Sequence, residues 1–378
     1  MNTVPHLAAN SYRRALAELL TRAGVTIDGT APWDIRIHDE RMFRRVLAQG
    51  SLGAGESYMD GWWDCDQLDE MMRRVFDARI DDELPSVRQV LAGLRARLLN
   101  PQTPRRSFTV GEQHYDIGDD LYERMLDSRM IYSCAYWRSA RDLEAAQEAK
   151  LDLVCRKLGL QSGMRVLDIG CGWGGAAQFA AQRYGVNVTG ITISRHQAEM
   201  ARARCRGLPV NILLQDYRSL AGQFDRIYSL GMFEHVGVRN YRTFFKTVRR
   251  LLAHDGLFLL HTIGGNVSVA ANDPWIERYI FPNSMLPSMA QITETAEGLW
   301  VIEDWHNFGI DYDRTLLAWH ERFERHWPEL VAKYGERFRR MWRFWLLGSA
   351  ASFRARRNQL WQIVMSPYGV SGGYSEVR

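Results

Sequence analysis

Residues 165–175 read Arg-Val-Leu-Asp-Ile-Gly-Cys-Gly-Trp-Gly-Gly, an apolar strand carrying an acid that runs into closely spaced glycines and then a helix. Glycines at such a turn let the backbone bend sharply and approach a ligand closely, while the free amides of the helix start can meet a negative group. Dinucleotide enzymes carry a cousin of this pattern, and a structural turn can use it too. Asp168 discriminates: its carboxylate would repel a pyrophosphate but suits the ammonium of a methionine moiety. The chemistry predicted is methyl transfer from S-adenosylmethionine, with Asp168, Gly170, Gly172, Trp173 and Gly174 holding the donor.

Further donor contacts fall at the ends of the next two strands. Folds of this kind often end the second strand on an acid for ribose hydroxyls. Here Thr189-Gly190-Ile191-Thr192-Ile193-Ser194 supplies none, which leaves Thr192, Ser194 and Gln197 as neutral candidates. Ser194 can equally be the cap of the following helix. Asp216, beside Tyr217 beyond the third strand, is placed to accept from an adenine amino group, or else to make an Asx turn into Tyr217.

The elements that position these residues alternate from Met164 onward. Strands are predicted at Arg165–Ile169, Asn187–Ile191, Val210–Leu214, Phe224–Leu230 and Leu257–His261. Helices are predicted at 176–183, 195–205 and 241–253. Such alternation specifies an α/β fold with a doubly wound, Rossmann-like parallel sheet, whose ligands bind at the carboxyl ends of the strands. Gln359–Met365 reads as a closing strand. The first hundred residues read instead as a smaller helical domain, with helices at Tyr12–Arg22, Phe43–Ala48 and an amphipathic Val87–Leu98. Pro101, Pro104, Arg105 and Arg106 mark residues 101–115 as a linker, so the catalytic domain is expected at 116–378.

A chain of 378 residues that is 46% apolar can bury two cores. Its apolar runs stop well short of a membrane span and its start lacks a signal peptide, so a cytoplasmic address is expected. Five scattered cysteines without a Cys-x-x-Cys pair point to neither a disulfide framework nor a metal site. A net charge of +4 argues against nucleic acid as partner and suits an anionic membrane surface. Between Glu321 and Gln362, ten Lys or Arg stand against four Asp or Glu, interleaved with Phe323, Trp327, Tyr334, Phe338, Trp342, Phe344 and Trp345. That pattern fits either a membrane interface or a core of aromatics with solvated arginines.

Several blocks are more specific than the glycine loop. They include Tyr58-Met59-Asp60-Gly61-Trp62-Trp63, His114-Tyr115-Asp116, Tyr132-Ser133-Cys134-Ala135-Tyr136-Trp137, Gly231-Met232-Phe233-Glu234-His235-Val236-Gly237, Leu259-Leu260-His261-Thr262-Ile263-Gly264 and Trp305-His306-Asn307-Phe308-Gly309. Through them the chain resembles, over essentially its whole length, the cyclopropane-fatty-acyl-phospholipid synthases and the related mycolic acid cyclopropane synthases. The resemblance implies a class I methyltransferase fold and a reaction that adds a methylene bridge across the cis double bond of an unsaturated acyl chain in a membrane phospholipid. It implies a peripheral location at the inner face of the membrane, and it leaves a homodimer open.

The resemblance also implies a bound bicarbonate as the base, held by Cys134, Glu234, His261, the backbone of Ile263, and Tyr312. Tyr132 and Ser133 match positions at which the family contacts the donor. A base and a dry, apolar pocket answer the chemistry, because the reaction passes through a carbocation that water would intercept. Taken singly, Cys134 reads as a buried filler, His235 as a residue that orients its loop and Tyr312 as a surface aromatic. Two departures stand out: Ser349 where some members carry cysteine, and Gly118-Asp119-Asp120 where the family has Gly-Asn-Asp. Related outcomes of the same cation, a methyl-branched, methylene or hydroxylated chain, remain alternatives, as does a catalytically inert lipid-binding protein.

Overall fold

The computed structural model describes residues 4–83, 118–269 and 271–378, with side chains from residue 11 onward. Val87–Leu98, the linker 101–115 and the His114–Asp116 block lie outside the described residues. Two compact units are built from the described parts of Met1–Leu99, Ala270–Pro282 and Leu316–Asn358, and of Asn100–Val269, Asn283–Thr315 and Gln359–Arg378. The helical unit therefore draws on two later segments in addition to the first hundred residues.

In the first unit, helices Val4–Arg22, Arg41–Gln49, Ser51–Met59 and Leu68–Asp77 surround a two-strand ladder of β1 (Arg36–Ile37) and β2 (Trp63–Asp64). Leu16, Phe43, Tyr58, Trp63 and Leu68 form its core together with Leu347 and Ala351 from the long helical stretch Ile310–Arg354. That stretch is interrupted at Gly335, whose φ of 74° and ψ of 162° are not helical. Its Phe323, Trp327, Trp342 and Trp345 are buried, as the core reading of the aromatics expects, while Tyr334, Phe338 and Phe344 are half-buried. Arginines among and after them are paired within the unit: Arg337 with Asp60, Arg340 with Asp64, Arg354 with Asp69 and Arg357 with Asp81.

The second unit is built on a seven-stranded sheet of order β5-β4-β3-β6-β7-β9-β8. Its strands are β3 (Arg165–Ile169), β4 (Asn187–Thr192), β5 (Val210–Leu214), β6 (Phe224–Leu230), β7 (Leu252–Gly265), β8 (Val301–Asn307) and β9 (Asn358–Ser366). β3 through β7 pair in parallel, while β8 and β9 are antiparallel. Alternate residues feed two cores, as the pleat requires. Val166 packs with Leu151, Val154, Ala177 and Ala180, whereas Leu167 and Ile169 pack with Phe244, Phe245 and Val248. Among the described residues no helix is long and apolar enough to cross a membrane.

Candidate active site

The glycine loop leaves β3 and enters the helix Gly175–Tyr184. The amides of Gly170 and Cys171 both donate to the carbonyl of Ile191 at 3.0 Å, which fastens the loop to the end of β4. Gly170 has φ +86°, and a Cβ there would meet the Met232 side chain at 2.8 Å. Gly172 (φ +52°) faces open space, so any side chain would enter it. Gly174 serves packing: its Cβ would strike Ala201 at 2.9 Å.

That open space is a cavity of about 200 Å³ at the carboxyl ends of β3, β4 and β6. Its walls include Tyr132, Ser133, Asp168, Gly170, Gly172, Trp173, Thr192, Ser194, Gln197, Asp216 and Tyr217. Of the expected donor residues only Gly174 lies outside the lining. Gly231, Met232, His235 and Val236, from the turn after β6, close another side.

Several of these side chains do structural work as well. Ser194 caps the helix Arg195–Arg204 by accepting from the Gln197 amide, and Thr192 Oγ1 donates to Gln197 Oε1 at 3.0 Å. Asp216 makes the Asx turn, accepting from the Arg218 amide at 2.9 Å, and also grips the Arg218 guanidinium at 2.8 and 2.6 Å. Arg218 lines the same cavity, so a base ring there would meet a carboxylate already shared with a cation.

Asp168 is buried, and its Oδ2 meets no donor within hydrogen-bond geometry among the described residues. Burial pushes its carboxyl up to about 7, against the pull of the neighbouring Tyr228 phenol and Lys150 ammonium. An unsatisfied buried carboxylate oxygen is costly, and a cationic ligand would relieve it.

Of the second set of residues, Glu234 meets Ile263, and Tyr312 lies near Glu234 and Cys134. Glu234 sits in the one-turn helix Phe233–His235, and its Oε1 accepts from the Ile263 amide at 2.7 Å. Its Oε2 is buried and unsatisfied, and burial raises the carboxyl to about 7. His261 precedes Ile263 by two residues on β7, so the two share a face of the strand. Its Nδ1 lies 3.3 Å from Gln362 Nε2, its Nε2 is unsatisfied, and burial with the charges of Lys150 and Lys157 keeps the ring neutral near pH 7. Burial also raises the Cys134 thiol and the Tyr312 phenol, and Cys134 and Glu234 lie close enough to Tyr312 to push it further.

The helix start near Tyr312 is stitched to the Cys134 segment. Asp311 accepts from the Trp137 amide at 2.8 Å, and Thr315 accepts from the Ala135 amide at 3.1 Å and from the Trp137 indole at 2.9 Å. All five expected anion-holding residues thus lie in the second unit, and the amide of Ile263 is already engaged with Glu234.

Sequence reading passed over what stands behind these walls. Tyr122, in the helix Asp119–Met125, packs on Tyr132 and Trp173 with ring centroids 5.2 and 5.0 Å away. Lys150 and Gln147, on the buried side of the helix Leu143–Lys157, bond to Ser133 at 2.8 Å each. The available signal was a lysine inside an apolar stripe, between Ala146 and Leu151–Val154.

Residues 102–363 match the family described as mycolic acid cyclopropane synthetase. The chain belongs to that family. It is 54% identical over 370 residues to the cyclopropane-fatty-acyl-phospholipid synthase of Escherichia coli (strain K12), covering 98% of this chain and 97% of that protein. The cyclopropane synthase MmaA2 from Mycobacterium tuberculosis has a solved structure 33% identical, with a TM-score of 0.65, covering 70% of this chain and 99% of that one. The mycolic acid cyclopropane synthase CmaA1, solved in complex with SAH and CTAB, matches at 33% identity and TM-score 0.64, over 71% of this chain and 99% of its own. The seven-stranded sheet and its helices are therefore a class I methyltransferase fold.

Proposed function

We propose that this enzyme transfers a methylene group from S-adenosylmethionine to the cis double bond of an unsaturated acyl chain in a phospholipid, forming a cyclopropane ring. The observation that carries the reading is the shared wall between two sites. The cavity lined by Asp168 and the glycine loop is closed by the same turn that carries Glu234.

In the reaction the alkene attacks the sulfonium methyl carbon, the carbon–sulfur bond breaks, and S-adenosylhomocysteine leaves. The resulting carbocation loses a proton from the new methyl group as the second carbon–carbon bond closes the ring. Asp168 would take the donor's ammonium on its unsatisfied Oδ2, with Gly170, Gly172 and Trp173 shaping the methionine end. Tyr132 and Ser133 would border the methionine end as well, with Thr192, Ser194 and Gln197 at the ribose and Asp216 and Tyr217 at the base.

The fit to bicarbonate rests on two buried unsatisfied atoms, Glu234 Oε2 and His261 Nε2. A neutral His261 can donate from Nε2, and a Glu234 carboxyl that titrates near 7 can share a proton with an anion. Cys134 and Tyr312, both protonated, would complete the cage, and Ile263 holds Glu234 in place through its amide. Bicarbonate, when bound, supplies the base that removes the methyl proton.

Substrate access implies a peripheral encounter with the membrane, which the net charge of +4 favours on anionic lipid. The test is incubation with S-adenosylmethionine and vesicles of an unsaturated phospholipid, followed by mass analysis of the fatty acids. A gain of one CH2 with loss of the alkene supports the reading. A gain of CH2 with a branched or methylene product overturns ring formation, and absence of donor binding overturns the enzyme assignment.

A further inference from the structure

The loop that carries the donor-facing side chains is held from behind by one helix. Gln147 Nε2 donates to the Ser133 carbonyl at 2.8 Å, and Lys150 Nζ donates to the Ser133 hydroxyl at the same distance. The two residues are three apart on the helix Leu143–Lys157, and both are fully buried. Upstream, Asp127 clamps the same loop by accepting from the amides of Ile131 at 2.8 Å and Arg129 at 3.0 Å. A lysine with no exposed surface is rare unless a function or a partner keeps it there.

We infer that Lys150 is a positioning residue for donor binding, whose ammonium fixes Ser133 and stands as the countercharge behind Asp168. Ser133 and Asp168 line the same cavity, and Lys150 lies within electrostatic reach of both Asp168 and Asp127. A cation at that point favours the ionised Asp168 carboxylate, which lines the cavity that would receive the donor. Lys150 is not among the residues that line the cavity, so its ammonium acts through these two residues.

The groups facing Lys150 are Asp127 and Cys134 on the clamped loop, Asp168 on β3 and His261 on β7. Tyr228 on β6 faces Asp168 in turn. Burial lowers the Lys150 ammonium to about 8, with the nearby acids opposing the shift. Above that pH the countercharge is lost, so its contribution to donor binding is present below about 8 and fades as pH rises through it.

The inference rests on the donor reading of the cavity, and the experiment separates the two. Calorimetric titration of S-adenosylmethionine from pH 6.5 to 9.5 compares wild type with Lys150→Met and Lys150→Arg, and the affinity ratio cancels the donor's own titration. At pH 7 Lys150→Met should bind on the order of 10- to 100-fold more weakly, as expected when buried polar partners lose their hydrogen bond and countercharge. That gap should close as pH passes about 8, where wild type loses the same charge. Lys150→Arg, charged throughout, should gain on wild type over the same range.

A ratio that stays constant with pH in both variants means only loop packing was lost and overturns the inference, as does wild-type affinity in Lys150→Met. Should Lys150→Met fail to fold, the Lys150→Arg ratio decides alone. A wild type that does not bind S-adenosylmethionine sinks the donor reading instead.

Discussion

Glu234 carries a carboxyl that burial has moved toward neutrality, with one oxygen held by Ile263 and the other unsatisfied. Glu234→Gln keeps the size and removes the shareable proton. Turnover should fall by about 10²- to 10⁴-fold while donor affinity stays within a few-fold, read by steady-state rates beside calorimetry. The same residue has a signature in stability. Its folded-state value lies above the ordinary 4.5, so the wild type loses stability as pH rises through that window to about 7. Thermal unfolding should show Glu234→Gln gaining on wild type between pH 4.5 and 7, then running parallel above it. A gap independent of pH would mean that the carboxyl is not displaced.

At the glycine loop the prediction is steric. Gly170→Val must hold a branched residue at φ +86° with Met232 already 2.8 Å from its Cβ. It should reduce donor affinity by more than about 100-fold, beyond the roughly 1–2 kcal/mol that left-handed backbone alone costs. Near wild-type affinity by calorimetry would remove the loop from the donor site.

At the scale of elements, β7 has one edge against β6 and the other against β9, and Gly264 is its next-to-last residue. A Cβ there would lie 1.9 Å from the Trp361 ring, which is buried on β9. Gly264→Ala should cost about 1–3 kcal/mol by chemical denaturation, in the range of overpacking. It should also depress turnover, because the displaced strand carries the Ile263 amide that holds Glu234.

How far the sequence shows these elements depends on what each one buries. β3 through β6 were legible because apolar runs between turn glycines must pair on both faces. β8 was not: Val-Ile-Glu-Asp-Trp-His-Asn lies at the sheet edge, half exposed, and its charges mask the alternation. β7 runs from Leu252 and not from Leu257, since its early residues Ala253, His254 and Asp255 are not apolar enough to read as strand. The donor cavity was legible residue by residue, yet Lys150 and Gln147 were not, because nothing local reveals which loop a buried polar pair supports.

For the whole molecule, much of the positive charge among the described residues is held in ion pairs, many in the helical unit, and Phe323, Trp327, Trp342 and Trp345 are buried there. If the proposed peripheral encounter relies on the net +4, co-sedimentation with anionic vesicles should weaken several-fold between about 50 and 300 mM salt as screening shortens to within about 10 Å. Binding that does not change with salt would point to apolar insertion. The order of strands carries a different consequence, for synthesis. β9 is the last strand made, yet it lies between β7 and β8, and the first unit also waits for residues 316–358 to complete its core. Neither unit can close until nearly the whole chain has left the ribosome, so a nascent chain halted between residues 307 and 358 presents two strand edges, on β7 and β8, that still lack β9.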